Sequence, residues 1–169
     1  MVGDKKALRD GNQPKVVILN SSEQIRMIRK AVACRAYEIF ANRGSVCGHE
    51  LEDWRRAEAE LTKPLCCGLM QLEETLWIET GTSLFQAGSI EIWVAARNIT
   101  ICGKPCSSHL HAHEAEHGAS GRPEMIFSVL DLPVEIDPSE TKVKLNGPSM
   151  EIVFKKAKTD AEHKVKAAA

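Results

Sequence analysis

The chain has 169 residues, 22 basic against 23 acidic, a formal net charge of -1 and a 43% hydrophobic share. That length fits one domain of ordinary size, or a small domain with an appendage, and the even charge balance removes the main support for general nucleic-acid binding. No apolar run approaches the roughly 20 residues of a membrane helix. The N-terminal MVGDKKALRDGNQPK has no apolar signal core, so we expect a cytoplasmic protein whose six Cys are thiols or ligands rather than a disulfide framework.

Residues 1–20 are expected to form a flexible segment in which PKVVILN is either a brief strand or a packing anchor. Ser21 and Gln24 then have capping-box spacing. Ile25, Ile28, Val32, Ala36, Ile39 and Phe40 recur at steps of three or four, one face of an amphipathic helix that Gly44 stops. After a loop at Ser45–His49, the stripe Leu51, Trp54, Ala57 and Leu61 predicts a second helix, ended by Pro64. Residues 21–63 thus read as a helical hairpin, too small to be stable without packing on something else.

The period changes after Pro64. TLWIET, SIEIWV, NITIC, MIFSVLDL, KVKL and MEIVF alternate apolar with polar residues and are separated by Gly, Pro, Asn and Ser. Asn146-Gly147 signals a hairpin, although the adjoining Pro148 argues for more than two turn residues. Short strands with no helical pattern between them predict an antiparallel sandwich over residues 70–157, followed by a flexible tail at 158–169. The expected class is α+β: an N-terminal helical hairpin followed by an immunoglobulin-like β-sandwich.

Two resemblances add to this reading. SIEIWVAARNITICGK, then FSVLDLP, VEIDPSETKVKL and NGPSMEIVF with its closing KKA, follow in order the blocks of the alpha-crystallin domain of small heat-shock proteins, and residues 84–157 are similar to that family. Residues 23–62 resemble a short bacterial domain of unknown function through Ile28-Arg29, Ala36-Tyr37, Arg43-Gly44, Gly48-His49, Asp53-Trp54 and Ala57-Glu58. The first resemblance implies an alpha-crystallin-like sandwich, no enzymatic activity, and ATP-independent holding of unfolding client proteins by a homodimer or small homo-oligomer. The tail lacks the I-x-I/V anchor of the large assemblies. The second implies a bacterial source.

Holdase action needs apolar surface beside a sheet edge, because reburied apolar area contributes about 25 cal/mol per Å². The candidate client-binding residues are Val143, Leu145, Met150, Ile152 and Phe154, each of which alternation alone would also place in the core. The alternative is a protein-interaction module with a co-chaperone-like sandwich that docks partners through Tyr37 and Trp54. No nucleic acid, membrane or cofactor is called for. One further feature stands apart. Cys102, Cys106, His109, His111, His113 and His117 form a thiol- and imidazole-rich stretch suited to adventitious or regulatory Zn, Ni or Cu. It contains H-E-x-x-H, but in polar surroundings bracketed by Pro105 and Gly118, which favours a solvated loop over a zinc-protease helix.

Overall fold

The computed structural model describes residues 13–106 and 123–158. In chain order they form β1 (Lys15–Ile18), α1 (Ser21–Asn42), α2 (Glu50–Leu61), β2 (Cys67–Gln71), β3 (Thr75–Gly81), β4 (Glu91–Val94), β5 (Asn98–Gly103), β6 (Ile126–Asp131), β7 (Ile136–Asn146) and β8 (Ser149–Lys156). The strands make two four-stranded sheets, ordered β1-β4-β5-β6 and β2-β3-β8-β7. All pairings are antiparallel except that of β1 with β4. The α+β class with a β-sandwich stands as expected. The strand over Lys15–Ile18 corrects the expectation of a flexible segment through residue 20. Its Val-Val-Ile run finds a ladder on β4 with Lys15 opposite Glu91, and their side chains pair at 3.2 Å.

Two apolar clusters define three layers. Between the sheets, Leu76, Ile78, Met150, Ile152 and Phe154 meet Ile92, Val94, Ile99 and Ile101, all buried. Because strand side chains alternate, the intervening residues of β4–β6 point the other way. There Trp93, Cys102 and Phe127 form a second cluster with Val32, Ile39, Ala57 and Leu61 of the helices. The hairpin therefore packs on the outer face of the first sheet, where Trp93 and Phe127 stack with ring centres 5.7 Å apart.

Several local expectations shift by one position. The capping box of α1 is Asn20/Glu23, not Ser21/Gln24: Asn20 Oδ1 accepts from the Glu23 amide at 2.9 Å, and Glu23 Oε2 accepts from the Asn20 amide at 3.2 Å. Gln24 is instead buried, donating to the Leu19 carbonyl at 3.1 Å and accepting from the Thr100 hydroxyl at 2.8 Å. Burial of Gln24 and Arg35 rotates the inner stripe of α1, so Ile25 faces solvent. On α2 Asp53 is buried with Ala57 and Leu61, and Leu51 is exposed.

Charge pairs lock the hairpin. Arg35 donates to Glu60 at 2.6 Å and to Glu38 at 2.8 Å. Burial opposes its charge, but the bonds to the two glutamates outweigh that and raise its pKa. Arg43 donates to both oxygens of Asp53, at 2.7 to 3.2 Å. The β7–β8 connection has two residues, Gly147-Pro148, not more. Gly147 takes a φ of +62°, which a II′ turn requires at its first central position, and Pro148 suits the negative φ of the second.

Candidate functional site

The surfaces that another polypeptide could use are the sheet margins, since an unpaired strand presents free N–H and C=O groups. On the first sheet, the margin beyond β6 is occupied by the exit of α2. The Lys63 amide donates to the Phe127 carbonyl at 2.8 Å and the Ser128 hydroxyl to the Lys63 carbonyl at 2.7 Å. The other margin is occupied by β1, whose Val17 and Leu19 reach the helix cluster.

Val16 and Ile18 lie in register with Ile92 and Val94 and so take the inter-sheet side, yet they remain 37% and 58% exposed. The strand is too short and too marginal to be covered. It lies against β7, the margin of the second sheet on the same side. There Val143 and Leu145 pack half-buried onto the inter-sheet core. Val16 and Ile18 at the β1 margin and Val143 and Leu145 at the β7 margin are thus apolar side chains at neighbouring borders of the two sheets, with the exposed Lys142 and Lys144 on the opposite face of β7. An exposed apolar patch is the usual form of an interaction surface.

The expected client residues divide accordingly. Val143 and Leu145 are reachable. Met150, Ile152 and Phe154 are at most 1% exposed and belong to the core. Alternation could not separate the two sets, because all five point to the same face. What distinguishes them is strand order: β8 is flanked by β3 and β7, whereas β7 is a margin. Val16 and Ile18 were missed as site residues; the signal was the V-V-I-L burst before α1.

Of the docking candidates, Tyr37 is 70% exposed on the hairpin, with its ring 6.3 Å from that of Phe40, whereas Trp54 is half-buried against the helix cluster. Cys34 and Cys47 are exposed.

Within the thiol and imidazole stretch, His109, His111, His113 and His117 lie outside the described residues. Cys102 is fully buried beside Trp93 and Phe127. Burial, with a smaller contribution from the Glu91 charge, pushes its thiol up to about 12. A neutral thiol facing the helices is a poor metal ligand. Cys106 is half-buried, its amide bonded to the Leu84 carbonyl at 2.8 Å. Among the described residues no group of three or more His, Cys, Asp or Glu could hold a metal ion.

Residues 23–63 match the family described as Protein of unknown function (DUF2934). This match spans the hairpin from Glu23 to Lys63. No curated protein matches the chain. Among solved structures, small heat shock proteins are similar in fold. Heat shock protein 16.0 from Schizosaccharomyces pombe is 8% identical with a TM-score of 0.44, over 68% of this chain and 88% of that one. The hspA of Xanthomonas axonopodis is 14% identical with a TM-score of 0.42, over 56% and 94%. A small heat shock protein from Synechococcus phage S-ShM2 is 19% identical with a TM-score of 0.37, over 57% and 91%. No helix among the described residues is long and apolar enough to cross a membrane.

Proposed function

We propose that the chain is a non-enzymatic, ATP-independent holdase of the small heat-shock type, working in the bacterial cytoplasm as a homodimer or small homo-oligomer. The observation that carries the reading is the neighbouring β1 and β7 margins, where Val16, Ile18, Val143 and Leu145 present apolar surface that no further strand covers among the described residues. An unfolding client exposes extended apolar segments. Laid against these side chains, such a segment reburies apolar area at about 25 cal/mol per Å². The chemistry requires no cofactor, metal or nucleotide. The sequence resemblance of residues 84–157 supports the same assignment.

The test is light scattering of a heat-labile enzyme in the presence of the protein. Suppression of aggregation at equimolar ratio is expected, with severalfold weaker suppression by Val16→Ser/Ile18→Ser, both exposed, at a little-changed thermal midpoint. No suppression at equimolar ratio or above refutes the reading. A partner-docking module is the second reading. It is favoured by Tyr37, a large aromatic residue 70% exposed on the helical hairpin.

A further inference from the structure

Helix α1 buries one side and leaves the other bare. Val32, Arg35 and Ile39 are buried on the side that packs against the sheet and α2. On the far side Met27, Lys30, Cys34, Tyr37 and Ala41 recur at alternating steps of three and four, and all five are exposed. Met27 and Tyr37 are 44% and 70% open to solvent. That spacing is the seam along which one helix lies on another. Near the middle of α1 the seam is narrow, because Ala33 and Cys34 are small, so a second helix can approach closely there.

Charge says what fits. Arg26, Arg29 and Lys30 are exposed in the first half of α1 and have no ion pair among the described residues. The second half carries Glu38, whose side chain stays 57% exposed beside Arg35. The loop after it leads to the exposed Glu50 and Glu52 of α2, and Arg43, the cation at that end, is bound to Asp53. The outward side of the hairpin is therefore basic at the end away from the loop and acidic at the loop. A partner with the same polarity laid antiparallel brings unlike charges together, whereas a parallel one sets three cations against three more. A second copy of the chain has both this polarity and this seam.

We propose that two copies pack α1 against α1, antiparallel, about a two-fold axis between Ala33 and Cys34. The inference deepens the homo-oligomer part of the reading above and rests on that part, not on client binding. Under this symmetry each residue meets the one equally far beyond the axis. Lys30 lies over Tyr37 of the other copy, a cation on an aromatic face, and within reach of the neighbouring Glu38. Arg26 and Met27 meet Ala41 and Phe40. The two copies of Cys34 stand side by side at the axis. Each sandwich lies on the far side of its own helix, so the sheet margins stay open. A contact through one helix of each copy falls below the roughly 1,200 Å² of a standard interface. The dimer is correspondingly weak, and its charge pairs make it sensitive to salt.

Sedimentation velocity of the full chain under reducing conditions, over about a hundredfold concentration range, should show a monomer–dimer equilibrium that added salt shifts to monomer. Lys30→Glu sets a carboxylate against Glu38, and Tyr37→Lys sets a cation against Lys30. Each should raise the dissociation constant about tenfold or more, with unchanged circular dichroism because both side chains are exposed. Mild oxidation should link Cys34 to Cys34 of the second copy, located by peptide mass mapping against the exposed Cys47 and Cys66. A dimer that both substitutions leave intact, or a bridge that forms through Cys47 or Cys66 and not through Cys34, overturns the helix pairing and leaves the homo-oligomer standing. A monomer at every concentration overturns both. A Cys34-bridged dimer that suppresses no client aggregation supports the pairing and overturns the holdase reading alone.

Discussion

The contact between Gln24 and Thr100 is the one fully buried polar link between the helical layer and the sandwich among the described residues. Thr100→Val keeps the shape of the side chain and removes the hydroxyl, which leaves Gln24 Oε1 without its donor. An orphaned buried polar group costs about 1–3 kcal/mol, so a loss of about 2 kcal/mol is expected. Gln24→Leu strands both the Thr100 hydroxyl and the half-buried Leu19 carbonyl and should cost about 3 kcal/mol on the same scale. In the double variant only the Leu19 carbonyl lacks its partner, and the cost should fall to about 1 kcal/mol. The two sites are thus coupled by about 4 kcal/mol, above the usual range for contacting pairs. Urea unfolding followed by tryptophan fluorescence measures all three. At about 2–4 °C per kcal/mol for a chain of this size, Thr100→Val should lower the thermal midpoint by about 4–8 °C. A double variant whose loss equals the combined losses of the single variants would refute the reasoning.

Alkylation at pH 8 followed by mass spectrometry should label the exposed Cys34, Cys47 and Cys66 in the native state and Cys102 only after unfolding, because burial holds its thiol at about 12; rapid native labelling of Cys102 would contradict its placement. The hydrogen bonds from Arg43 hold the Asp53 carboxyl below its usual range. The stability this contributes is present above the ordinary aspartate value of about 3.9 and is lost as pH falls through the lower folded value. Asp53→Asn should be less stable at neutral pH and show a shallower acid transition by circular dichroism; an unchanged transition argues against it. A Cβ at Gly103 would lie 3.1 Å from the Ser89 carbonyl and hydroxyl oxygens and 3.2 Å from Phe85 Cδ1, so Gly103→Ala should cost about 1–3 kcal/mol in urea unfolding, and a neutral result would show that the Ser89 loop yields freely.

Both helices and the sandwich were legible because their periods differ: Val32 and Ile39 recur at helical spacing, and Leu76, Ile78, Ile152 and Phe154 at strand spacing. What periodicity could not convey was the packing partner of each face. Trp93 and Cys102 stand at alternate positions that look like ordinary outer-face residues, yet they are buried because a second layer lies on them. The same layer explains Gln24, a polar residue inside an apolar stripe, whose partner Thr100 is 76 positions away. Asn20 displaced Ser21 as the cap because its side chain reaches the Glu23 amide, a choice between neighbours that spacing alone leaves open. The candidate surface was half legible: Val143 and Leu145 share the inward face of their strand with the core, and only strand order exposes them.

The helical layer also makes the two halves of the sandwich unequal in endurance. Strands β4 and β5 are shielded on both sides, and nearly every residue from Ile92 to Val94 and Ile99 to Gly103 is sealed from water. Among the described residues the opposite sheet has no second layer on its back and, at β2 and β7, borders held on one flank only. Local opening follows such differences in protection. Warming should therefore loosen the two borders while the clamped centre persists, so that the sandwich frays from one sheet before the other.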